Sequence, residues 1–398
     1  MGEWKNVRVG ELGKIITGKT PKTSISDNYG GRIPFLTPSD NMSVKYVGKT
    51  SKTLTEKGLL EVKNAILPEN SVCVSCIGSD LGKAVITTCP TVTNQQINSI
   101  IVDEKSFDVS FVYYAMQILG KKMNFISKTS TAVPIVNKSS FSSYEIKCPP
   151  REDQKRIAAV LSALDSKIEC NKKINDNLEQ QAVALFKSWF VDFSLFGGTV
   201  PENWEDTTLE NITTLITRGI APKYSDNSDQ TVVNQKCIRN HTIDLSLART
   251  HTPKAINEKW LKFGDLLINS TGDGTLGRVA QVWFAPKALT VDSHVTIVRP
   301  AREELIFYIG LWGILHEKEI KSLHTGSTGQ TELPRDRVKK LKLLLPDNIS
   351  LSRFNSIIAP MASTIISNQE ENQKLASLRD TLLPKLMSGE IDVSSIQL

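Results

Sequence analysis

The chain has 398 residues, 40% apolar and 23% charged, with 48 Lys+Arg against 42 Asp+Glu and a formal net charge of +6. That length supports two to three domains, each with its own core, and the composition excludes a disordered chain. No apolar run approaches the ~20 residues of a membrane span, Met1–Lys5 is polar, and six cysteines lack framework spacing, so a cytoplasmic protein with no membrane partner is expected.

The charge is unevenly spread: net +6 over residues 1–150, zero over 151–197, +2 over 198–346 and −2 over 347–398. Weak positive charge on two larger segments is compatible with a polyanion without naming one.

In chain order, Gly13-Lys14-Ile15-Ile16-Thr17-Gly18-Lys19-Thr20 fits the phosphate-loop pattern G-x-x-x-x-G-K-[ST]. Ile100-Ile101-Val102-Asp103-Glu104 mimics the apolar strand ending in acids that would hold magnesium. A P-loop nucleotide-binding enzyme is therefore one alternative. Its mechanism needs a strand before the loop, free amides to cradle phosphates and a helix at Lys-Thr. Here the loop interior is β-branched, Pro21 follows at once, and residues 22–31 show no helical period, which favours an edge strand. Residues 72–77 and 96–102 read as strands and 110–121 as a helix. Cys73-Val74-Ser75-Cys76 alternates like a buried strand and has no second ligand pair, so these are expected as core cysteines and not a zinc site.

After Cys148-Pro149-Pro150 the pattern changes. Ile157, Leu161, Leu164, Ile168, Asn171, Asn175, Leu178, Ala182, Leu185 and Trp189 follow a 4-3-4-3 spacing, the signature of a coiled-coil helix. Cys148-Pro149-Pro150-Arg151 itself lacks the acid or amide before the prolines, and the aromatic after them, that would grip a flipped adenine.

Residues 198–346 then repeat the first module. Trp4, Val9, Leu12, Ile15 and Thr17 recur as Trp204, Leu209, Ile212, Leu215 and Thr217; one inserted residue later, Gly18 answers to Gly219. Leu81-Gly82-Lys83 matches Leu276-Gly277-Arg278. Strands are expected at 265–269 and 294–298 and a helix over 303–315. The duplicate has no Lys-Thr after Gly219, and Arg299-Pro300 replaces the acid pair. The heptad seam also returns, at Phe354, Ile358, Met361, Ile365, Asn368, Asn372, Leu375, Arg379, Leu382 and Leu386. Both stripes carry two asparagines at mid-length, a polar layer whose best-attested use is to fix register and partner. The simplest inference is that the two helices pack on each other; the seam alone does not decide their orientation. Pro360 is expected to kink or interrupt the second helix, and Gly389 to stop it. A helix of about 38 residues would span roughly 57 Å, so a module at each end would form a caliper suited to a long periodic ligand.

Several stretches resemble the helical conserved regions of the specificity (S) subunits of type I restriction–modification systems. Leu185-Phe186-Lys187-Ser188-Trp189-Phe190-Val191-Asp192-Phe193 closes the first helix, and the run from Arg379 through Leu382-Leu383-Pro384-Lys385-Leu386 to Gly389 closes the second. Pro149-Pro150-Arg151-Glu152-Asp153-Gln154 and Pro201-Glu202-Asn203-Trp204 add to the likeness, while Pro346-Asp347-Asn348-Ile349-Ser350 departs from it. The resemblance implies an α+β chain of two tandem mixed α/β target-recognition domains (1–150 and 198–346). Two long helices (within the spacer regions 151–197 and 347–398) would join them as an antiparallel coiled coil with a pseudo-two-fold repeat. It further implies a non-catalytic subunit with no cofactor of its own. Each recognition domain would read half of a bipartite double-stranded DNA target. Partner modification (methyltransferase) subunits would bind S-adenosylmethionine, and restriction/translocase subunits would use ATP and Mg. The other alternative is a coiled-coil protein scaffold.

Base reading needs Arg, Lys, Asn, Gln, Ser or Thr on loops that reach groove edges. In the first module these are Thr37, Ser39, Asn41, Lys83, Lys128, Ser130 and Thr131. In the second they are Arg218, Lys223, Tyr224, Arg239, Asn240, Ser270, Thr271, Arg278, Ser327, Thr328 and Gln330. No catalytic or metal residue is expected.

Overall fold

The computed structural model describes residues 3–128, 135–272, 274–326 and 331–396, apart from the side chains of Ser79, Ser127 and Lys128. The protein is α+β with mixed sheets and two long helices, Arg151–Phe190 and Asn348–Ser388. The chain divides into two compact units, Met1–Glu169 with Asn372–Leu398, and Cys170–Glu371. Each long helix contributes a segment to either unit.

In the first unit, Lys5–Arg8 pairs antiparallel with Glu145–Cys148, bringing the two ends of the module together at the start of the helix. A five-stranded sheet follows in the order Gly13–Thr17, Ile97–Val102, Ser71–Ser75, Ala84–Thr87, Tyr46–Val47. All its pairings are antiparallel except the last. Ser71–Ser75 and Ala84–Thr87 are buried along their whole length, as expected of strands covered on both faces. One cover is the helix Val109–Lys128, one residue longer at its start and seven at its end than the periodicity suggested. A second, four-stranded sheet is built from Lys52–Leu54, Tyr29–Leu36, Thr91–Thr93 and Ile66–Leu67.

The second unit repeats the same ladder. Glu205–Thr208 pairs with Lys342–Leu345, and Thr213–Arg218, Val295–Pro300, Leu266–Asn269 and Val279–Gln281 form a four-stranded antiparallel sheet. The pairings also correct the sequence alignment. Thr17 opposes Asn98, whereas the residue opposing the equivalent Thr296 is Arg218 and not Thr217. The extra residue lies earlier, at a register shift between Thr213 and Leu215, where a bulge absorbs it without moving Gly219. Gly18 and Gly219 then coincide: an added Cβ would lie 2.1 Å from Asn94 O in one case and 1.9 Å from Val291 O in the other.

The long helices are fixed at their ends by identifiable chemistry. Gln154, in the first turn of the first helix, is buried. Its amide donates to Pro149 O (2.9 Å), and its carbonyl accepts from Asp108 N (2.9 Å). The second helix begins differently: Asp347 accepts from Ile349 N, Ser350 N, Ser350 Oγ and Trp204 Nε1 at 2.8–3.0 Å. Burial alone would raise this carboxyl, but the hydrogen bonds from Ser350, Trp204 and Ile349 outweigh it and hold the pKa at about 2. Asp347→Ala is expected to destabilise the fold by about 1–2 kcal/mol at neutral pH, read from the urea midpoint. The native contribution is complete above the ordinary value of 3.8 and is lost as pH falls towards about 2, so the variant's deficit should shrink across that window. At its far end the second helix stops at Gly389, in a left-handed conformation (φ 79°), with Gly389 N on Leu386 O and Glu390 N on Lys385 O.

Pro360 does not interrupt the second helix. It lies on the exposed side, next to Ile358, Met361 and Ala362, which are turned inward; tertiary packing of that stripe carries the helix through.

All twenty seam positions are buried or half-buried. Within the second unit, Asn368 Nδ2 donates to Asn175 Oδ1 (2.8 Å), Asn171 Nδ2 donates to Glu371 Oε2 (2.7 Å), and Phe354 packs on Phe186 and Trp189. Rising numbers on one segment meet falling numbers on the other, so the two run in opposite directions there. Asn175→Ala leaves the half-buried Asn368 amide without its acceptor and is expected to cost about 1–3 kcal/mol. The double change Asn175→Leu with Asn368→Leu should be near neutral or stabilising, checked by urea unfolding of the three variants.

Candidate nucleic-acid interface

In the first module the loop after Tyr29–Leu36 is organised by Asp40. Its carboxylate accepts from Thr37 N (2.8 Å), Thr37 Oγ1 (2.9 Å) and Ser51 N (2.7 Å). Burial opposes the charge, but the Ser51 and Thr37 hydrogen bonds prevail and lower its pKa. The loop is therefore preformed, with Ser39 and Asn41 exposed and Thr37 half-buried. Lys83 is exposed and paired with Asp80 (2.6 Å). It follows Gly82, whose φ of 88° and closeness to Gly120 O (2.3 Å from an added Cβ) leave no room for a side chain. Arg278 follows Gly277 in the same way (φ 83°, with Lys321 Cα 2.7 Å from an added Cβ). Each unit thus presents one cation at the same tight turn.

In the second module Lys223 and Tyr224 are exposed, and the Arg249 guanidinium lies 3.8 Å from the Tyr224 ring centre. A stacked Arg–Tyr pair on an exposed loop is the kind of flat surface on which bases or sugars rest. Arg239 and Asn240 sit in the hairpin Ile238–Arg239/Thr242–Ile243, whose two turn residues, Asn240 and His241, both have positive φ. Asn240 is there for the turn, and Arg239 remains exposed beside it. Thr271 is half-buried with its hydroxyl 2.7 Å from His294 Nδ1. Ser270 is a correction: it is fully buried and shares a hydrogen bond with Thr296 Oγ1 (2.5 Å), so it offers nothing to a groove. Arg218 is half-buried, tied to Leu333 O (3.1 Å) and Glu332 Oε1 (2.7 Å). Ser130, Thr131, Ser327, Thr328 and Gln330 lie outside the described residues, as does the Lys128 side chain.

The phosphate-loop reading fails on geometry. Gly13–Thr17 is itself a strand, hydrogen-bonded along Asn98–Val102, so its amides belong to the ladder. Gly18 N donates to Ile97 O, and the next helical piece is the single turn Ser26–Asn28. Cys73 is fully buried on its strand; burial pushes its thiol up to about 12, despite a hydrogen bond from Ser99. Among the described residues no three metal-ligating side chains gather.

A polar cluster in the first unit escaped sequence reading. Lys45 Nζ lies 4.7–5.6 Å from the ring centres of Tyr46, Tyr113 and Tyr114 and donates to Ser162 Oγ (2.6 Å) on the long helix. Burial lowers its pKa to about 8, against the opposing pull of Asp165 and Asp108. Tyr114 donates to Asp165 (2.5 Å), which also pairs with Arg379 (2.9 Å). The signal was present: Arg379 is a cation on an otherwise mostly apolar seam and required a partner. This network seats the first module on its helical segments.

The family described as "Type I restriction modification DNA specificity domain" matches residues 1–180. The chain is 28% identical over 424 residues to the type I restriction enzyme MjaIX specificity subunit of Methanocaldococcus jannaschii, covering 99% of this chain and 95% of that protein. It is 32% identical over 180 residues to the HindI specificity subunit of Haemophilus influenzae, covering 44% and 39% respectively. In fold it is similar to the crystal structure of the type I restriction–modification system S subunit from M. genitalium, with a TM-score of 0.55 and 16% identity over 97% of this chain and 96% of that one. Residues 1–180 thus match the model of a type I restriction–modification specificity domain, and along nearly its whole length the chain is similar to a type I restriction enzyme specificity subunit.

Proposed function

We propose that this DNA sequence-specificity subunit uses residues 1–150 and 198–346 as two target-recognition domains, each reading one half of a bipartite duplex sequence. The long helices in 151–197 and 347–398 pair as an antiparallel coiled coil, set the unread gap and dock two modification subunits. Adenine methylation with S-adenosylmethionine, and any ATP- and Mg-dependent restriction, belong to partner subunits in the cytoplasm; this chain supplies the address and no bond chemistry. No helix among the described residues is long and apolar enough to cross a membrane.

The observation that supports this most is one strand ladder used twice with unlike exposed loops. A repeated scaffold gives both modules the same seat, while Thr37–Asn41 in one and Tyr224–Arg249 in the other present different chemistry. Replacing residues 198–346 with the matching segment of another family member, and mapping methylated adenines in cells carrying its modification subunit, tests the reading. One half of the methylated sequence should change and the other half and the gap should persist. A change in both halves, or in neither, contradicts it.

A further inference from the structure

In the second unit, a cleft of about 320 Å³ opens beside the end of Thr213–Arg218, lined by Thr217, Arg218, Gly219, Lys259, Glu332 and Arg335. Three of these are cations and one is an acid. Lys259 Nζ is held on Gly219 O (3.0 Å), and Arg218 Nη2 spans Leu333 O and the Glu332 carboxylate. Arg218 Nε is buried with no acceptor among the described residues. The guanidinium is thus anchored yet incompletely satisfied, and its charge meets only the half-exposed Glu332 carboxylate (54%).

The first unit makes the same backbone tie without the charge. There the side chain bonding the returning segment is neutral: Asn98 Nδ2 donates to Val136 O (3.1 Å) and its carbonyl accepts from Thr17 Oγ1 (2.7 Å). Thr17 occupies the ladder position that Arg218 holds in the second unit. Structure alone needs no cation at this point, since an amide suffices in the other copy.

We infer that this cleft is a phosphodiester seat for the DNA backbone and that Glu332 occupies it, as a stand-in anion, in the free protein. The inference rests on the DNA-reading function and adds a regulated contact to it. When the duplex arrives, a phosphate oxygen replaces the Glu332 carboxylate on Arg218, with Arg335 and Lys259 close enough to share the charge. The contact reads no base, so it should strengthen all sequences alike.

The test uses the full chain, or its complex with the modification subunits, and fluorescence anisotropy on target and random duplexes across a salt series. Glu332→Gln removes the stand-in and should tighten binding to both duplexes by about two- to fivefold. Arg335→Ala, at an exposed position that should leave the fold intact, should weaken both by similar factors and reduce the salt slope by about one. Unchanged or weaker binding by Glu332→Gln, or an Arg335→Ala loss confined to the target duplex, overturns the seat while leaving DNA recognition standing. Failure of the unaltered complex to bind any duplex would instead sink the reading on which it rests.

Discussion

Replacing Asp265 with alanine is expected to destabilise the second unit by about 3–5 kcal/mol. The Asp265 carboxylate is almost wholly buried (1% exposed) and meets Arg299 through two parallel bonds, Nε to Oδ1 at 2.8 Å and Nη2 to Oδ2 at 2.7 Å. It also accepts from Lys262 N (2.8 Å), while Arg299 donates to Glu258 O and Trp260 O. Removing the acid leaves a guanidinium with little access to water and no counter-charge, which costs far more than the pair itself contributes. The double replacement Asp265→Leu with Arg299→Met should therefore recover much of the loss. Urea unfolding of the single and double variants measures this; a single variant within about 1 kcal/mol of the parent would show that water reaches the site.

Phe354→Ala is expected to cost a similar amount, about 3–5 kcal/mol. Phe354 is fully buried at the start of the second long helix, with ring centres 4.8 Å from Phe190, 5.6 Å from Trp189 and 6.0 Å from Phe186. Phe190 continues the cluster to Tyr308 and Trp204, so one ring joins the helical segments to the module. Alanine leaves a cavity that these large neighbours cannot collapse into, whereas Phe354→Leu fills most of it and should cost under about 2 kcal/mol. Thermal unfolding of both variants separates cavity from chemistry: equal losses would contradict the packing account.

The helical seam and the duplication were legible because each repeats a rule many times. Ten positions at 3.5-residue spacing leave little freedom, and a second copy at a fixed offset doubles the signal. The strands at 71–75 and 97–102 were legible for the same reason, being β-branched runs bounded by turn residues. What stayed hidden depends on single positions. A one-residue bulge near Thr214 shifts the apparent partner of Thr17 from Arg218 to Thr217, and no residue type announces it. Ser270 looked like a loop hydroxyl in a glycine-rich stretch, yet it immediately follows the strand Leu266–Asn269 and is covered on all sides. The Asp265–Arg299 pair joins residues 34 apart that only the antiparallel ladder brings together. Pro360 misled in the other direction, since its own backbone cost is local while the apolar stripe around it is long.

We propose that this chain supplies the sequence address, and its partners the bond chemistry, of a DNA-modifying assembly. Single-molecule sequencing of modified bases in a host with this gene, with it deleted, and with it restored tests that most directly. The expected result is one sequence of two short words separated by a fixed gap, methylated at adenine, that vanishes on deletion and returns with the gene. Methylation that is unchanged by deletion would contradict the claim.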